Sequence, residues 1–191
     1  MKLLQQRILS DGEVLPGGVL KVDGFLNHQI DPKLLKEMAR ELRRRFQKDG
    51  VTKILTIEAS GIALAVPVGE ELDAPVLFAK KAKTSNLGDE VYTAGVYSFT
   101  HRCNNQIFVS KKYLSDTDRV LIIDDFLATG SAIRGLMDLC TAAGASVVGA
   151  GIAIEKGFQE GGDALRKSGL RVESLAVIDS MNEDGTITFR E

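Results

Sequence analysis

Residues 120–132 read VLIIDDFLATGSA, and they are the most informative part of the sequence. The four apolar residues Val120–Ile123 predict a buried strand, and the adjacent carboxylates Asp124 and Asp125 follow at its C-terminal end. The small residues after them lead into a helix that we expect to continue to Ala143. Open α/β sheets bind ligands beyond the carboxyl ends of their strands, so the stretch predicts a binding loop at a strand-to-helix connection.

The loop from Ala128 to Ala132 has the features of a phosphate site. Small residues let the backbone approach a ligand, and the first N–H groups of a helix lack internal partners and attract anions. Thr129 and Ser131 add hydroxyl donors. The nearby carboxylates suit the hydroxyls of an attached ribose, or a magnesium ion. Together these features predict a ribose 5-phosphate site, although each taken singly also fits a plain turn with Ser131 as a helix cap.

Strands and helices alternate on both sides of this stretch. Strands are predicted at residues 54–57, 75–79, 120–123, 147–154 and 172–178, and helices at residues 2–10, 31–50 and 60–72 and from the loop to Ala143. Residues 80–106 break the alternation and predict an antiparallel excursion, with extended pieces at 92–99 and 106–109. We therefore expect a single α/β domain over residues 1–191, with a mostly parallel, twisted sheet flanked by helices on both faces.

Composition and motif searches exclude several classes of protein. A net charge of −2 gives no general attraction to nucleic acid, and no apolar run approaches the ~20 residues of a membrane span. Cys103 and Cys140 form no CxxC, and the polar-interrupted first ten residues do not predict a signal peptide, so we expect a cytoplasmic protein. The P-loop lysine is absent, no dinucleotide-binding fingerprint follows a strand, and His28 and His101 lack metal-binding spacing.

Residues 120–132 resemble the PRPP-binding motif of the type I phosphoribosyltransferases, which exchange the pyrophosphate of phosphoribosyl pyrophosphate (PRPP) for a nitrogenous base. Residues 19–32 (VLKVDGFLNHQIDP) and 154–158 (IEKGF) resemble the bacterial, adenine-phosphoribosyltransferase-like branch that acts on xanthine. The match in length and order covers essentially the whole chain. One departure is Lys80, where we expect arginine; lysine keeps the charge but loses a bidentate fork.

The resemblance implies a type I phosphoribosyltransferase fold, with an N-terminal hood at residues 1–30 and a flexible loop or hairpin at 80–106. It implies a cytoplasmic homodimer of purine salvage that uses Mg²⁺ with PRPP and no organic cofactor, structural metal, nucleic acid or membrane. Asp124 and Asp125 would be catalytic, holding the ribose hydroxyls and favouring positive charge on the ring. The phosphoribosyl group would contact Ala128, Thr129, Gly130, Ser131 and Ala132.

The same resemblance assigns Leu20, Asn27 and Lys156 to the base. Xanthine carries carbonyl oxygens at positions 2 and 6, and both Lys156 and the amide of Asn27 can donate hydrogen bonds. A lysine disfavours the amino group of adenine, and a donor at position 2 disfavours guanine, but Asn27 could flip and accept. On the residues alone, Lys156 could equally be a solvated strand end, and Asn27 a turn residue.

A second anion site is expected where Ser60 and Gly61 begin a helix, and it would suit the pyrophosphate. The alternative is an ordinary serine cap. Lys81 and Lys83 belong to a cationic run that is either solvated or, by family position, in contact with pyrophosphate across a dimer interface. The polar loop 84–89 is a candidate lid over the reacting sugar.

Two other functions compete with transfer to xanthine. The first is transfer to another purine, namely hypoxanthine, guanine or adenine. The second is a non-catalytic, PRPP-sensing regulator that binds DNA. Such a regulator would need a DNA-binding module, and the first ~30 residues hold one predicted helix and no basic patch.

Overall fold

A computed structural model describes residues 1–83, 90–98, 103–182 and 184–190. Its helices are α1 (Lys2–Asp11), α2 (Pro32–Phe46), α3 (Ser60–Leu72), α4 (Ser131–Ala143) and α5 (Gly161–Lys167). Its strands are β1 (Glu13–Leu15), β2 (Val19–Lys21), β3 (Lys53–Ile57), β4 (Val76–Ala79), β5 (Val91–Ser98), β6 (Cys103–Ser110), β7 (Arg119–Leu127), β8 (Ser146–Lys156), β9 (Val172–Met181) and β10 (Ile187–Phe189). A π-helical turn spans Asp23–Asn27, and short 3-10 turns span Lys111–Tyr113 and Gly157–Gln159.

The main sheet has the strand order β10-β9-β8-β7-β3-β4. Its neighbours are parallel except for β10, which pairs antiparallel with β9. From β3 the chain crosses through α3 to β4 on one side, whereas β7 lies on the other side of β3. The strand order therefore reverses between β3 and β7, and such a switch point opens a crevice at the carboxyl ends of the strands.

Strand β7 is buried on both faces, as its run of apolar residues predicted. Leu121 and Ile123 pack in a core with α1, α2 and α3, while Val120 and Ile122 pack in a second core with α4 and the hairpin β5–β6. Because side chains alternate along a strand, one continuous apolar run serves both cores. The expectation of a mostly parallel sheet covered on both faces is confirmed.

Helix α2 begins where its sequence signals predicted. The side chain of Asp31 accepts hydrogen bonds from the backbone N–H groups of Lys33 (3.0 Å) and Leu34 (3.2 Å), and Pro32 is the first helical residue. The helix ends at Phe46 rather than at the expected Asp49–Gly50.

Two boundaries near the predicted binding loop differ from expectation. Strand β7 continues to Leu127, so Asp124 and Asp125 lie within the strand rather than after it. Strand β8 continues to Lys156, because its pairing with β9 extends through that residue. The short strands β1 and β10 were not predicted; three residues are too few to show a periodic pattern.

The N-terminal segment and the hairpin β5–β6 lie outside the main sheet. The segment consists of α1, the hairpin β1–β2, in which Val14 pairs with Leu20, and the π-helical turn. Hairpin β5–β6 packs on α4 closely enough that a Cβ on Gly135 would overlap the side chain of Val96. Among the described residues no helix is both long and apolar enough to cross a membrane.

Candidate active site

A cavity of about 510 Å³ opens at the switch point between β3 and β7. The ends of both strands, the starts of α3 and α4 and the inner side of the hairpin β5–β6 form its walls. The lining residues are Ile57, Glu58, Ala59, Ser60, Gly61, Lys81, Val96, Asn105, Ile107, Asp124, Asp125, Phe126, Leu127, Ala128, Thr129, Gly130, Ser131, Ala132 and Ile133. The cavity therefore brings together the predicted phosphate loop, the two carboxylates and three of the four predicted pyrophosphate residues, namely Ser60, Gly61 and Lys81.

The predicted phosphate loop lies between the end of β7 and the first turn of α4. Gly130 has a φ of 80°, a left-handed conformation that glycine adopts without steric cost. Arg134, one turn into α4, donates from Nη1 to the carbonyl oxygen of Thr129 over 2.8 Å. Ser131 and Ala132 are the first residues of the helix, so their backbone N–H groups lie in the first turn, where the helix dipole favours an anion. The structure places this loop at the cavity, and its binding of an anion stays a prediction.

The two carboxylates differ in their surroundings. Asp124 is 5% exposed, whereas Asp125 is partly exposed, and the N–H of Asp125 donates to Oδ1 of Asp124 over 3.0 Å. Burial, followed by the charge of Asp125, raises the pKa of Asp124 well above its ordinary value. A hydroxyl donor or a cation at this position would relieve that cost by stabilising the charged form.

Gly61 brings the start of α3 against β3 and β7. A Cβ on Gly61 would overlap Oγ1 of Thr56 and would lie 3.1 Å from Oδ1 of Asp124. Thr56 is fully buried, and its hydroxyl has no hydrogen-bond partner among the described residues. Ser60 is the first helical residue and no side chain caps α3, so Ser60 is not the helix cap. The anion site at Ser60 and Gly61 stays a prediction.

The cationic run after β4 reaches the cavity through Lys81. The backbone N–H of Lys81 donates to Oε1 of Glu58 over 2.6 Å, so the carboxylate of Glu58 ties this run to the β3–α3 connection. Lys83 is exposed and does not line the cavity. The predicted lid, residues 84–89, lies outside the described residues.

The N-terminal segment reaches the carboxylates through Asn27. Its Nδ2 donates to Oδ2 of Asp125 over 3.4 Å, at the end of the π-helical turn. Leu20, on β2, is 5% exposed and packs in the apolar core, and it does not line the cavity. Leu20 thus stays a prediction as a base contact.

Lys156 ends β8 beside the cavity wall. Its Nζ donates to the carbonyl oxygen of Gly18 over 2.9 Å and lies 5.8 Å from the ring centroid of Phe126. Burial lowers the pKa of Lys156 below its ordinary value. Lys156 is therefore held between Gly18 of the β1–β2 connection and Phe126 of β7 rather than being a solvated strand end. Its contact with a base stays a prediction.

Several lining residues were not predicted from the sequence. Phe126 directly follows the predicted site residue Asp125, and Glu58 directly follows the end of strand β3. These sequence positions could have been used to predict both residues. Val96, Asn105 and Ile107 come from the hairpin β5–β6, which the chain pattern does not place over the phosphate loop.

The oxygen atoms of the site also indicate how a magnesium ion could bind. In the described part of the chain, no three or more His, Cys, Asp or Glu side chains are grouped to hold a metal ion. Asp124 and Asp125 are nevertheless oxygen donors beside an anion loop. Mg²⁺ typically binds one or two carboxylates together with substrate phosphates and waters. These residues fit an ion that arrives with a phosphorylated substrate.

Comparisons with known proteins agree with this geometry. Residues 22–179 match the phosphoribosyl transferase domain family. The xanthine phosphoribosyltransferase of Lachnoclostridium phytofermentans is 56% identical over 191 residues, covering 100% of this chain and 98% of that protein. The xanthine phosphoribosyltransferase of Bacillus cytotoxicus is 59% identical over 189 residues, covering 99% of this chain and 95% of that protein.

Solved structures support the fold. Adenine phosphoribosyltransferase from Leishmania donovani superposes with a TM-score of 0.76 at 21% identity, covering 95% of this chain and 82% of that one. The enzyme from Rhodothermus marinus gives a TM-score of 0.73 at 22% identity, covering 91% and 98%. At these identities the likeness establishes the architecture alone.

Proposed function

This chain belongs to the phosphoribosyl transferase domain family, and from that premise we propose that it transfers the 5-phosphoribosyl group of PRPP to N9 of xanthine. The products are xanthosine 5'-monophosphate and pyrophosphate, and the reaction is a pentosyl transfer of purine salvage. The observation that carries the proposal is the meeting of the predicted phosphate loop and two carboxylates in one cavity at the switch point. Asn27 contacts one of these carboxylates, and Lys156 lies over Phe126, which lines the same cavity.

PRPP occupies the cavity in three parts. The 5-phosphate binds the backbone N–H groups and hydroxyls of the loop Ala128–Ala132, at the N-terminus of α4. The ribose hydroxyls donate to Asp124 and Asp125. The pyrophosphate lies toward Ser60 and Gly61, with Lys81 supplying positive charge; Lys83 assists from the same run. Asp124 and Asp125 would be available as oxygen ligands for a Mg²⁺ ion that arrives with PRPP, and this ion would supply positive charge to the leaving pyrophosphate.

The base lies on the Asn27 side of the carboxylates. Xanthine has acceptors at both of its carbonyl positions, and Asn27 and Lys156 supply donors. Leu20 provides an apolar contact from the N-terminal hood. Phe126, which lies under the ammonium of Lys156, offers an aromatic wall for a flat purine. A purine with an amino group at either position would place a donor against one of these donors, which disfavours its binding.

Displacement at the anomeric carbon builds positive charge on the ribose ring as pyrophosphate departs. Two carboxylates fixed at the end of a buried strand favour that charge without needing to reorganise. Because Asp124 is buried and shares the site with Asp125, its negative charge is poorly solvated before the reaction. The growing ring charge relieves this cost, so the pair binds the transition state more tightly than the ground state.

The cellular location, oligomeric state and partners of this protein are proposed from its family. We place the enzyme in the cytoplasm as a homodimer whose partners are xanthine and PRPP, with no nucleic acid and no membrane. The hood at residues 1–30 covers the base, and residues 80–106 supply the hairpin and the candidate lid.

The test is a spectrophotometric assay of the purified chain with PRPP and Mg²⁺ against xanthine, hypoxanthine, guanine and adenine in parallel. Fast turnover of xanthine alone supports the proposal. Turnover of another base with comparable efficiency would retain the ribose site but refute the assignment of Asn27 and Lys156. PRPP binding without turnover of any base would favour the regulator.

A further inference from the structure

A buried ion pair lies behind the phosphate loop. Glu155, next in sequence to Lys156, is fully buried at the end of β8. Its two carboxylate oxygens accept hydrogen bonds from Nη1 and Nη2 of Arg166, each over 2.7 Å, and Ser174 also donates to it. Burial raises the pKa of Glu155, but the hydrogen bonds and charge of Arg166 outweigh burial, so the pKa lies below its ordinary value.

The backbone of Gly161 and Gly162 lies between this ion pair and the phosphate loop. A Cβ on Gly162 would overlap the carboxylate of Glu155, and a Cβ on Gly161 would overlap the carbonyl oxygen of Ala128. The same Cβ on Gly161 would lie 2.7 Å from the backbone nitrogen of Gly130. The first two residues of α5 therefore touch the carboxylate on one side and the phosphate loop on the other.

The sheet makes a second connection between the same parts. Glu155 is the cross-strand partner of Leu127, the residue immediately before the loop. Arg166, at the far end of the short helix α5, reaches back to Glu155 and so fixes α5 at both of its ends. A shift of Arg166 would release α5 from the outer side of the loop.

A contribution to the free energy of unfolding does not by itself explain the buried ion pair between Glu155 and Arg166. Removing two charges from water costs free energy, and well-packed apolar residues can replace a buried ion pair with little loss of stability. An apolar pair, however, lacks the two directional hydrogen bonds that the guanidinium of Arg166 donates to the carboxylate of Glu155. Mispositioned N–H groups in the loop would weaken binding of a phosphate, because those bonds depend on orientation.

We infer that Glu155 and Arg166 form a positioning unit, which presses α5 against the loop Ala128–Gly130 and sets its N–H groups for the 5-phosphate of PRPP. Neither side chain touches the substrate; both act through the loop. The inference rests on the proposed function and adds to it a pair of residues that determine affinity for the phosphoribosyl group, but not for pyrophosphate, which binds on the α3 side.

The experiment measures binding of ribose 5-phosphate and of Mg²⁺-pyrophosphate separately by isothermal titration calorimetry, on the whole chain. Arg166→Ala removes the fork. Lys53→Ala is the matched control, because Lys53 forms a partly buried ion pair with Asp118 over 3.2 Å at the amino end of β3, whereas the loop lies at the carboxyl ends of the strands. Unfolding midpoints of both variants are recorded alongside.

We expect Arg166→Ala to weaken ribose 5-phosphate binding about tenfold or more, with pyrophosphate binding within twofold of wild type. Lys53→Ala leaves both affinities unchanged. Equal loss of both ligands in Arg166→Ala, or equal losses in the two variants, would overturn the inference. If Arg166→Ala does not fold, Arg166→Lys decides, since it keeps the charge without the fork: unchanged ribose 5-phosphate binding in that variant refutes the positioning role.

The two proposals fail differently. A wild-type chain that binds neither ligand would overturn the proposed function and this inference together. A wild-type chain that binds both and transfers phosphoribosyl to xanthine, with variants that bind equally well, would overturn the inference alone.

Discussion

Asn27 donates from its side-chain amide to the carboxylate of Asp125 over 3.4 Å, which connects the N-terminal hood to the carboxylate pair of β7. The two residues are 98 positions apart in the chain. The amide that we assign to the base thus already contacts the carboxylate that we assign to the ribose. Any ligand that occupies both positions replaces this contact.

Replacing Asn27 tests its role as a donor to the base. Asn27→Leu preserves size but removes both donor and acceptor, so we expect the KM for xanthine to rise about tenfold or more, the scale of one lost hydrogen bond. The preference for xanthine over guanine should shrink. Steady-state kinetics with both bases measure this, and His28→Ala, an exposed neighbour, serves as control. An unchanged ratio of xanthine to guanine efficiency would remove Asn27 from base selection.

Replacing Asp124 separates activity from stability. Asp124→Asn should lower kcat by on the order of 100-fold, because a group that stabilises developing charge is lost. The variant should be more stable than wild type at neutral pH, since burial disfavours the charged carboxylate. Asp138→Asn, an exposed change on α4, should alter neither quantity. Near-normal turnover of Asp124→Asn would refute the ribose assignment.

The stability difference should also depend on pH. The folded-state pKa of Asp124 lies above its unfolded value of roughly 3.9. Below that pH, Asp124 is protonated in both the folded and the unfolded state. The difference in unfolding temperature between wild type and Asp124→Asn should then contain only the pH-independent effect of the substitution. As pH rises from there through the folded-state pKa, wild type should lose stability relative to the variant. Thermal unfolding across pH measures the difference; a constant difference contradicts the raised pKa.

Lys156 is expected to act on the base more than on the fold. Lys156→Met keeps the apolar stem against Phe126 but removes the ammonium, so affinity for xanthine should fall about tenfold or more. Thermal stability should change little, because the buried ammonium is already disfavoured by desolvation. Lys167→Met, on the exposed side of α5, is the control. Calorimetry in the presence of a PRPP analogue measures the affinity, and an unchanged Kd would exclude Lys156 from the pocket.

Gly61 is expected to be a steric requirement of the site. Gly61→Ala places a methyl group against Oγ1 of Thr56, which should cost roughly 1–3 kcal/mol of stability and lower activity. Adding Thr56→Ala to Gly61→Ala should restore part of the stability, as a double-mutant cycle would show. Gly95→Ala, where a Cβ meets no atom within 4 Å, is the matched control. Additive effects of the two substitutions would show that this contact is not the cause.

The amino-acid sequence determined the framework of the site. The apolar run at residues 120–123 is typical of a strand inside a covered parallel sheet, and the capping residues Asp31 and Pro32 place the start of α2 by local geometry. The small residues of the loop predicted its phosphate-binding role, because backbone access and unpaired helical N–H groups are properties of consecutive residues.

Which distant residues meet around these elements depends on the folding of the whole chain. The sequence pattern ended β7 at Ile123, whereas pairing with β8 carries the strand to Leu127 and buries Asp124. The contact between Asn27 and Asp125, and the support of the loop by Glu155 and Arg166, join segments separated along the chain. Local patterns predict which elements form, but long-range packing sets the distances and the burial that give each side chain its charge state and its role.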